Sequence, residues 1–150
     1  MLLYQKGRFS LEGVSFAVPD GFYLDSDPDG VRAETPCMDG LVLYPSDRAC
    51  RVDILLEYDC GAPEEEFAAL FAPGSGMYRR GEPRPVTCNG LSGFEVWYDT
   101  KHEHSYEARF TVEEGARRHN LCLTVTSESP LDELLTRPDI AALRSSLRKD

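Results

Sequence analysis

The sequence predicts an α+β fold, in which an antiparallel β-sheet is flanked by helices in the order strands, helix, three-stranded meander, C-terminal helix. Short segments with apolar residues at every second position predict the strands. Prolines that open amphipathic segments at residues 63 and 138 predict the helix starts. The length of 150 residues fits one domain spanning 1–150, and 41% hydrophobic residues supply its core.

Alternating segments predict the N-terminal strands. Residues 14–18 are followed by a Pro-Asp-Gly turn, the chain resumes as a strand over 22–25, and residues 41–44 form another. The clearest segment is 50–59, CRVDILLEYD, whose alternate side chains predict one core face. That face carries Cys50, Val52, Ile54, Leu56 and Tyr58.

Two helical segments follow the helix rules. Pro63 suits a first helical position, the acids at 64–66 favour a helix N-terminus, and apolar residues recur at 67, 70 and 71. The next stretch, 73–85, is a Gly- and Pro-rich loop that matches neither the dinucleotide fingerprint nor the P-loop. The C-terminal helix presents Ile140, Leu143 and Leu147 on one side.

Three alternating segments after residue 86 predict an antiparallel meander, with strands around 94–98, 104–112 and 121–125. Placing all of their apolar residues on one face fixes a register. This register sets Tyr98 opposite His104, Val96 opposite Tyr106, Phe110 opposite Leu121 and Val112 opposite His119.

Trp97 alternates out of phase with this apolar set and is predicted to lie on the second face of the sheet. Two placements are open: packing under the C-terminal helix near Leu143 or Leu147, or exposure as an aromatic anchor for a partner. The partner-binding candidates of that face are Trp97, Glu95, Glu107 and Arg109.

The same register sets Glu95 opposite Glu107, and paired carboxylates can be tuned for acid–base chemistry. An enzyme using this Glu95/Glu107 face is therefore one hypothesis, although Arg109 is a simpler neutraliser of the charge. Cys88 has no histidine that the sequence places beside it. The expectation is that the protein is not an enzyme and has no catalytic residues.

The string DSDPDG at 25–30 resembles the first half of a calcium loop, with Asp25, Asp27 and Asp29 as metal candidates. The twelfth position, which needs a bidentate glutamate, is Pro36. An acidic strand connection is the preferred interpretation. The three histidines are predicted not to converge, since His104 and His119 lie about 26 Å apart along the strands. No metal and no cofactor are expected.

Charge and cysteine usage limit the partners and the compartment. A net charge of −10 disfavours nucleic acid and anionic membranes, and no apolar run approaches the roughly 18 residues of a membrane span. The start, MLLYQKGRFS, lacks the apolar region of a secretory signal, which predicts a cytoplasmic protein. Five cysteines without close pairing predict reduced thiols.

Four strings carry a resemblance to a known superfamily: FSLEGVSFAVPDGFYLD, PEEEF, NGLSGFEVWYD and PDIAALRSSLR. In order and turn motifs they resemble PsbP-like proteins, which include photosystem PsbP subunits, a Ran-binding nuclear-import factor, DcrB lipoproteins and Eag secretion chaperones. The resemblance implies an antiparallel sheet flanked by helices and a non-enzymatic role in binding another protein. It transfers no functional residue, and the missing lipobox argues against the lipoprotein branch.

The leading expectation is therefore a binding or chaperone-like domain for a protein partner. The alternative is a toxin-neutralising immunity protein, because small, acidic bacterial proteins often act against basic nucleases. The sequence leaves the partner and the oligomeric state open.

Overall fold

The structure, a computed structural model, describes residues 2–24 and 37–150. Within these ranges it contains two antiparallel sheets and three short helices, which confirms the predicted α+β class. The strands are β1 (Leu3–Gln5), β2 (Arg8–Leu11), β3 (Val14–Phe16), β4 (Phe22–Leu24), β5 (Met38–Pro45), β6 (Arg51–Glu57), β7 (Tyr78–Arg79), β8 (Arg84–Cys88), β9 (Leu91–Asp99), β10 (His104–Glu114), β11 (Arg117–Ser127) and β12 (Arg148–Lys149). The helices are α1 (Pro63–Leu70), α2 (Asp132–Thr136) and α3 (Pro138–Ser145).

The larger sheet has the strand order β4-β5-β6-β11-β10-β9-β7, and β8 pairs with the same edge of β9 as β7 does. Every pairing in it is antiparallel. The predicted strands at 50–59 and in the meander are present, as is the helix that begins at Pro63. The loop at 73–85 contains β7 and the start of β8, which its Gly and Pro content concealed.

A smaller sheet with the order β1-β2-β3-β12 was not predicted as a separate sheet. Its hairpins turn at Lys6-Gly7 and Glu12-Gly13, where all four residues have positive φ, as a type I′ turn requires. The C-terminal β12 joins β3, and the Ser15 hydroxyl donates to Asp150 Oδ1 at 2.7 Å. The two ends of the described chain are therefore held together in one sheet.

The larger sheet is covered on both faces. Its front face, defined by Leu56, Tyr106 and Leu123, packs with the small sheet, α2 and α3 into the main core. Its back face, defined by Val96, Glu107 and Arg109, meets α1. There Phe67 of α1 forms a second cluster with Val96 and Tyr98.

The meander register is confirmed between β10 and β11, where Phe110 lies opposite Leu121. Between β9 and β10 the prediction is wrong by one residue, since Val96 lies opposite Glu107 and Tyr98 opposite Ser105. Phe94, Val96 and Tyr98 of β9 belong to the cluster that Phe67 of α1 forms on the back face, so they do not join the main core. With both faces covered, either register buries apolar side chains, and the alternation alone does not choose between them.

Candidate binding cleft

Two concave surfaces lie on the front face between the C-terminal helices and the strands β8 and β9. One cavity of about 740 Å³ lies between α2 and the loop that leads into β8. A second, of about 300 Å³, lies between α3 and β8. Arg144 lines both cavities, which are together called the front cleft here. Its first cavity is lined by Arg80, Arg84, Trp97, Leu135, Thr136 and Arg144, among others.

Trp97 lies in the front cleft because the register of β9 places it opposite Tyr106. The two rings are 5.0 Å apart, and the indole packs partly buried against the main core. Trp97 lines the first cavity with Leu135 and Arg144 of the C-terminal helices and stays partly exposed, so its position lies between the two predicted placements. The predicted neighbours of Trp97 are wrong, since it shares its face of the sheet with Tyr106 and not with Glu107 or Arg109.

Two arginines lie over the aromatic rings of the cleft. The Arg84 guanidinium lies 4.5 Å from the centroid of the Trp97 ring, and that of Arg144 lies 4.7 Å from the Tyr106 ring. At such distances the positive charge is attracted to the face of the ring, while the guanidinium keeps N–H groups that can bind other partners. Sequence reasoning missed both residues. For Arg144 a signal existed, because it falls four residues after Ile140 on the core-facing side of α3.

The carboxylate of Glu95 lies near both arginines and accepts a hydrogen bond from Tyr106. The Tyr106 hydroxyl donates to Glu95 Oε2 at 2.5 Å and accepts from Arg144 Nη2 at 3.0 Å. Burial raises the pKa of Tyr106 above its usual value, which keeps the phenol protonated as the donor. The nearest nitrogens of Arg144 and Arg84 lie 3.8 and 3.9 Å from the Glu95 carboxylate.

The other two partner-binding candidates, Glu107 and Arg109, lie on the back face and are buried. Arg109 donates to Glu107 Oε2 at 2.6 Å and to Glu57 Oε2 at 2.9 Å, and its guanidinium lies 5.7 Å from the ring centroid of Phe67 in α1. These three charged groups, the Glu57–Arg109–Glu107 triad, are covered by the helix. The structure thus separates the four candidates into two pairs on opposite faces.

The predicted opposition of Glu95 and Glu107 is wrong for the same reason. Glu95 lies opposite Ala108, whereas Glu107 lies opposite Val96. Since neighbouring residues of a strand point to opposite faces, the one-residue shift puts the two carboxylates on different sides of the sheet. The acid–base pair on which the enzyme hypothesis rested does not exist in this arrangement.

None of the cysteines forms a disulfide, and every cysteine pKa that is shifted is raised. Burial raises the pKa of Cys50 and of Cys60 to about 11, and it raises the pKa of Cys88 and Cys122 as well. Cys88 lines the second cavity and donates to the Leu147 carbonyl at 3.2 Å. These thiols are protonated near neutral pH, and a protonated thiol is a poor nucleophile.

We expect thiol titration of the denatured, unreduced protein to count five free thiols. In the folded protein the exposed Cys37 should react first and the buried Cys122 last, because reaction requires both access and the thiolate. The measurement is the time course of alkylation, read by mass spectrometry of peptides. A pair of thiols that stays blocked in denaturant would contradict the prediction of reduced cysteines.

The predicted metal candidates Asp25, Asp27 and Asp29 lie outside the described residues. Within 2–24 and 37–150, no group of three or more His, Cys, Asp or Glu side chains is arranged to hold a metal ion. His104 Nδ1 lies 2.7 Å from Asp99 Oδ1. His119 lies opposite Val112 as predicted, is fully buried and accepts from the Asp59 N–H at 3.1 Å.

We expect millimolar calcium to leave the thermal unfolding midpoint unchanged relative to chelator. The physical reason is that Pro36 occupies the position where a calcium loop needs a bidentate carboxylate. A ligand that binds only the native state must raise the midpoint. A rise with calcium that disappears in the Asp27→Ala variant would contradict the prediction.

Comparisons with known proteins show a distant structural relative. No protein-family model matches the chain, and no curated protein matches its sequence. Among solved structures, the chain is similar to LpqN, a protein involved in cell envelope biogenesis of Mycobacterium tuberculosis. The TM-score is 0.57 at 18% sequence identity, over 90% of this chain and 82% of LpqN. No helix among the described residues is long and apolar enough to cross a membrane. At this identity the likeness to LpqN establishes a shared fold.

Proposed function

We propose that this protein is a non-enzymatic binding protein, and that the front cleft holds a segment of a partner protein in a binding or chaperone-like role. The observation that carries the proposal is Trp97, a large aromatic side chain left partly open in the floor of a cleft of about 740 Å³. Tyr106 and Arg84 flank its indole and fix its position. Rigid aromatic and arginine side chains in a concave site are the usual anchors of protein recognition.

The chemistry of the cleft supports binding more than catalysis. Glu95 accepts a hydrogen bond from Tyr106 and has two arginines nearby, which is the pattern of a structural ion network. The cleft thiol, Cys88, has a pKa raised by burial, so it lacks the activation that a nucleophilic cysteine needs.

Two further observations support the binding role. The turn motifs resemble PsbP-like proteins, for which the resemblance implies protein binding, and the chain shares a fold with LpqN, a protein of cell envelope biogenesis. Free, protonated thiols are typical of proteins in a reducing compartment. On that ground we propose that the protein, a single domain, is located in the cytoplasm.

Site-specific photo-crosslinking in the native host tests the function. Benzoylphenylalanine in place of Thr136, on the exposed rim of the front cleft, should yield a discrete crosslinked partner that mass spectrometry identifies. The same group in place of Tyr4, exposed on the separate hairpin β1–β2, is the matched control and should not yield it. Crosslinks from Tyr4 alone, or none from Thr136, would contradict the proposed use of the cleft.

A further inference from the structure

Arg84 carries unused binding capacity at the mouth of the front cleft. Its side chain is 65% exposed although its guanidinium lies over the Trp97 ring. Among the described residues its one ion contact is Glu95 at 3.9 Å, which is longer than a charge-assisted hydrogen bond of about 2.7–2.9 Å. Since Arg84 also lines the first cavity, its N–H groups are able to bind a group that enters there.

Arg144 offers a second cationic group on the opposite wall. One of its nitrogens donates to the Tyr106 hydroxyl, and its nearest nitrogen to Glu95 is 3.8 Å away. Arg84 and Arg144 thus share the carboxylate of Glu95, and neither has a second carboxylate within ion-pair distance among the described residues. The acid nearest to Arg84 in the loop, Glu82, is 2.9 Å from Arg79 and directed to that side chain. The other charged groups of the cavity lining are Arg80, which pairs with Asp99, and Asp132 on the side of α2.

We propose that the front cleft recognises an acidic peptide, with a partner carboxylate bound between Arg84 and Arg144 and an adjacent apolar side chain packed on Trp97 and Leu135. The proposal rests on the proposed function and names the chemistry of its partner. Planar guanidinium groups are suited to bind a carboxylate through two parallel hydrogen bonds. Beyond Arg144, the second cavity with Val86 and Phe110 in its lining takes a further apolar residue of the same segment.

The bound peptide is recognised through its side chains and does not pair with β8 as an added strand. The two-residue turn at Asn89-Gly90 has both φ values positive and fixes the hydrogen-bonding alternation of β8 against β9. Counting back from that turn, Pro85 occupies a position at which the backbone nitrogen points away from β9. Because proline has no N–H, the free edge of β8 lacks one of the donors that an added strand would use, which disfavours such pairing.

The test selects random peptides by display on the immobilised full chain and measures their binding by the fluorescence of Trp97. We expect enriched peptides to contain Asp or Glu next to an apolar residue, and Trp97→Ala to abolish their capture. Arg84→Gln and Arg144→Gln should each weaken binding about tenfold, as should Glu→Gln or Asp→Asn in the peptide. Arg117→Gln removes an equal charge from an exposed ion pair with Asp59 outside the cleft lining, and it should leave the affinity unchanged. Unfolding midpoints of all variants establish that each is folded.

Different outcomes overturn different statements. Peptides that need Trp97 but bind equally well without their acid would overturn the acidic-peptide proposal and leave the binding function standing. Peptides that bind independently of Trp97, or no enriched peptide, would overturn both. Sedimentation with phosphatidylglycerol vesicles that depends on Arg84 and Arg144 would assign the two arginines to a lipid surface and overturn the peptide as their ligand.

Discussion

Replacing Arg109 by methionine is expected to destabilise the fold by about 3–5 kcal/mol, because the substitution leaves the buried carboxylate of Glu107 and the partly buried one of Glu57 without their cation. Glu107 is 5% exposed, and Arg109 is the residue that joins it to Glu57. Methionine preserves most of the side-chain length, so the lost charge and hydrogen bonds dominate the effect. Equilibrium unfolding in urea measures the loss.

Two further variants separate the charge effect from general damage. Arg117→Met breaks an ion pair with Asp59 at 2.9 Å whose side chains are mostly exposed, and it should cost less than about 1 kcal/mol. Adding Glu107→Gln to Arg109→Met should restore part of the lost stability, since one uncompensated charge is removed. A loss below about 1 kcal/mol in Arg109→Met itself would mean that water reaches the carboxylates in the folded protein.

The second large effect is expected for Phe67→Ala, at about 3–5 kcal/mol. Phe67 is 1% exposed and is the residue through which α1 meets Val96 and Tyr98 on the back face. A helix of eight residues is not stable without tertiary contacts, so loss of this ring should loosen α1 as a unit. Urea unfolding gives the free energy, and hydrogen exchange of the α1 amides reports the local opening.

Glu65→Ala is the matched control, because Glu65 is exposed in the same helix and should change stability by less than about 0.5 kcal/mol. Unchanged exchange of the α1 amides in Phe67→Ala would contradict the role of this ring. It would place the attachment of α1 on the surrounding residues Leu70, Phe71 and Met77.

The sequence predicted a helix or strand correctly where its pattern of residues is compatible with only one backbone conformation. Pro63 with its following acids predicted a helix start, and the alternating residues of 50–59 predicted β6, because each pattern matches one backbone period. The register of β9 was different. Phe94, Val96 and Tyr98 are apolar, but so is Trp97, and a sheet covered on both faces accepts apolar side chains on either side.

The site was harder to predict than the fold, because it is assembled from distant segments. Arg84 precedes β9 in a Gly- and Pro-rich stretch, and Arg144 lies near the C-terminus. Their meeting depends on how α3 crosses the front face, which no local pattern encodes. Trp97 was selected as a candidate because a single tryptophan beside charged residues is distinctive, but its neighbours depended on the register.

The pairing of β3 with β12 has a consequence for the kinetics of folding. The hydrogen bond from Ser15 to Asp150 closes a loop of 135 residues. The conformational entropy lost on closing a loop grows with its length, so completing the small sheet is entropically unfavourable until the rest of the chain has folded. We expect contacts of this kind to form after the transition state, when the hairpins and the meander already exist. Substitutions at Ser15 should therefore accelerate unfolding while leaving the refolding rate unchanged. The pairing of β3 with β12 would then set the unfolding rate, and hence the lifetime of the native state. Formation of the larger sheet would set the folding rate.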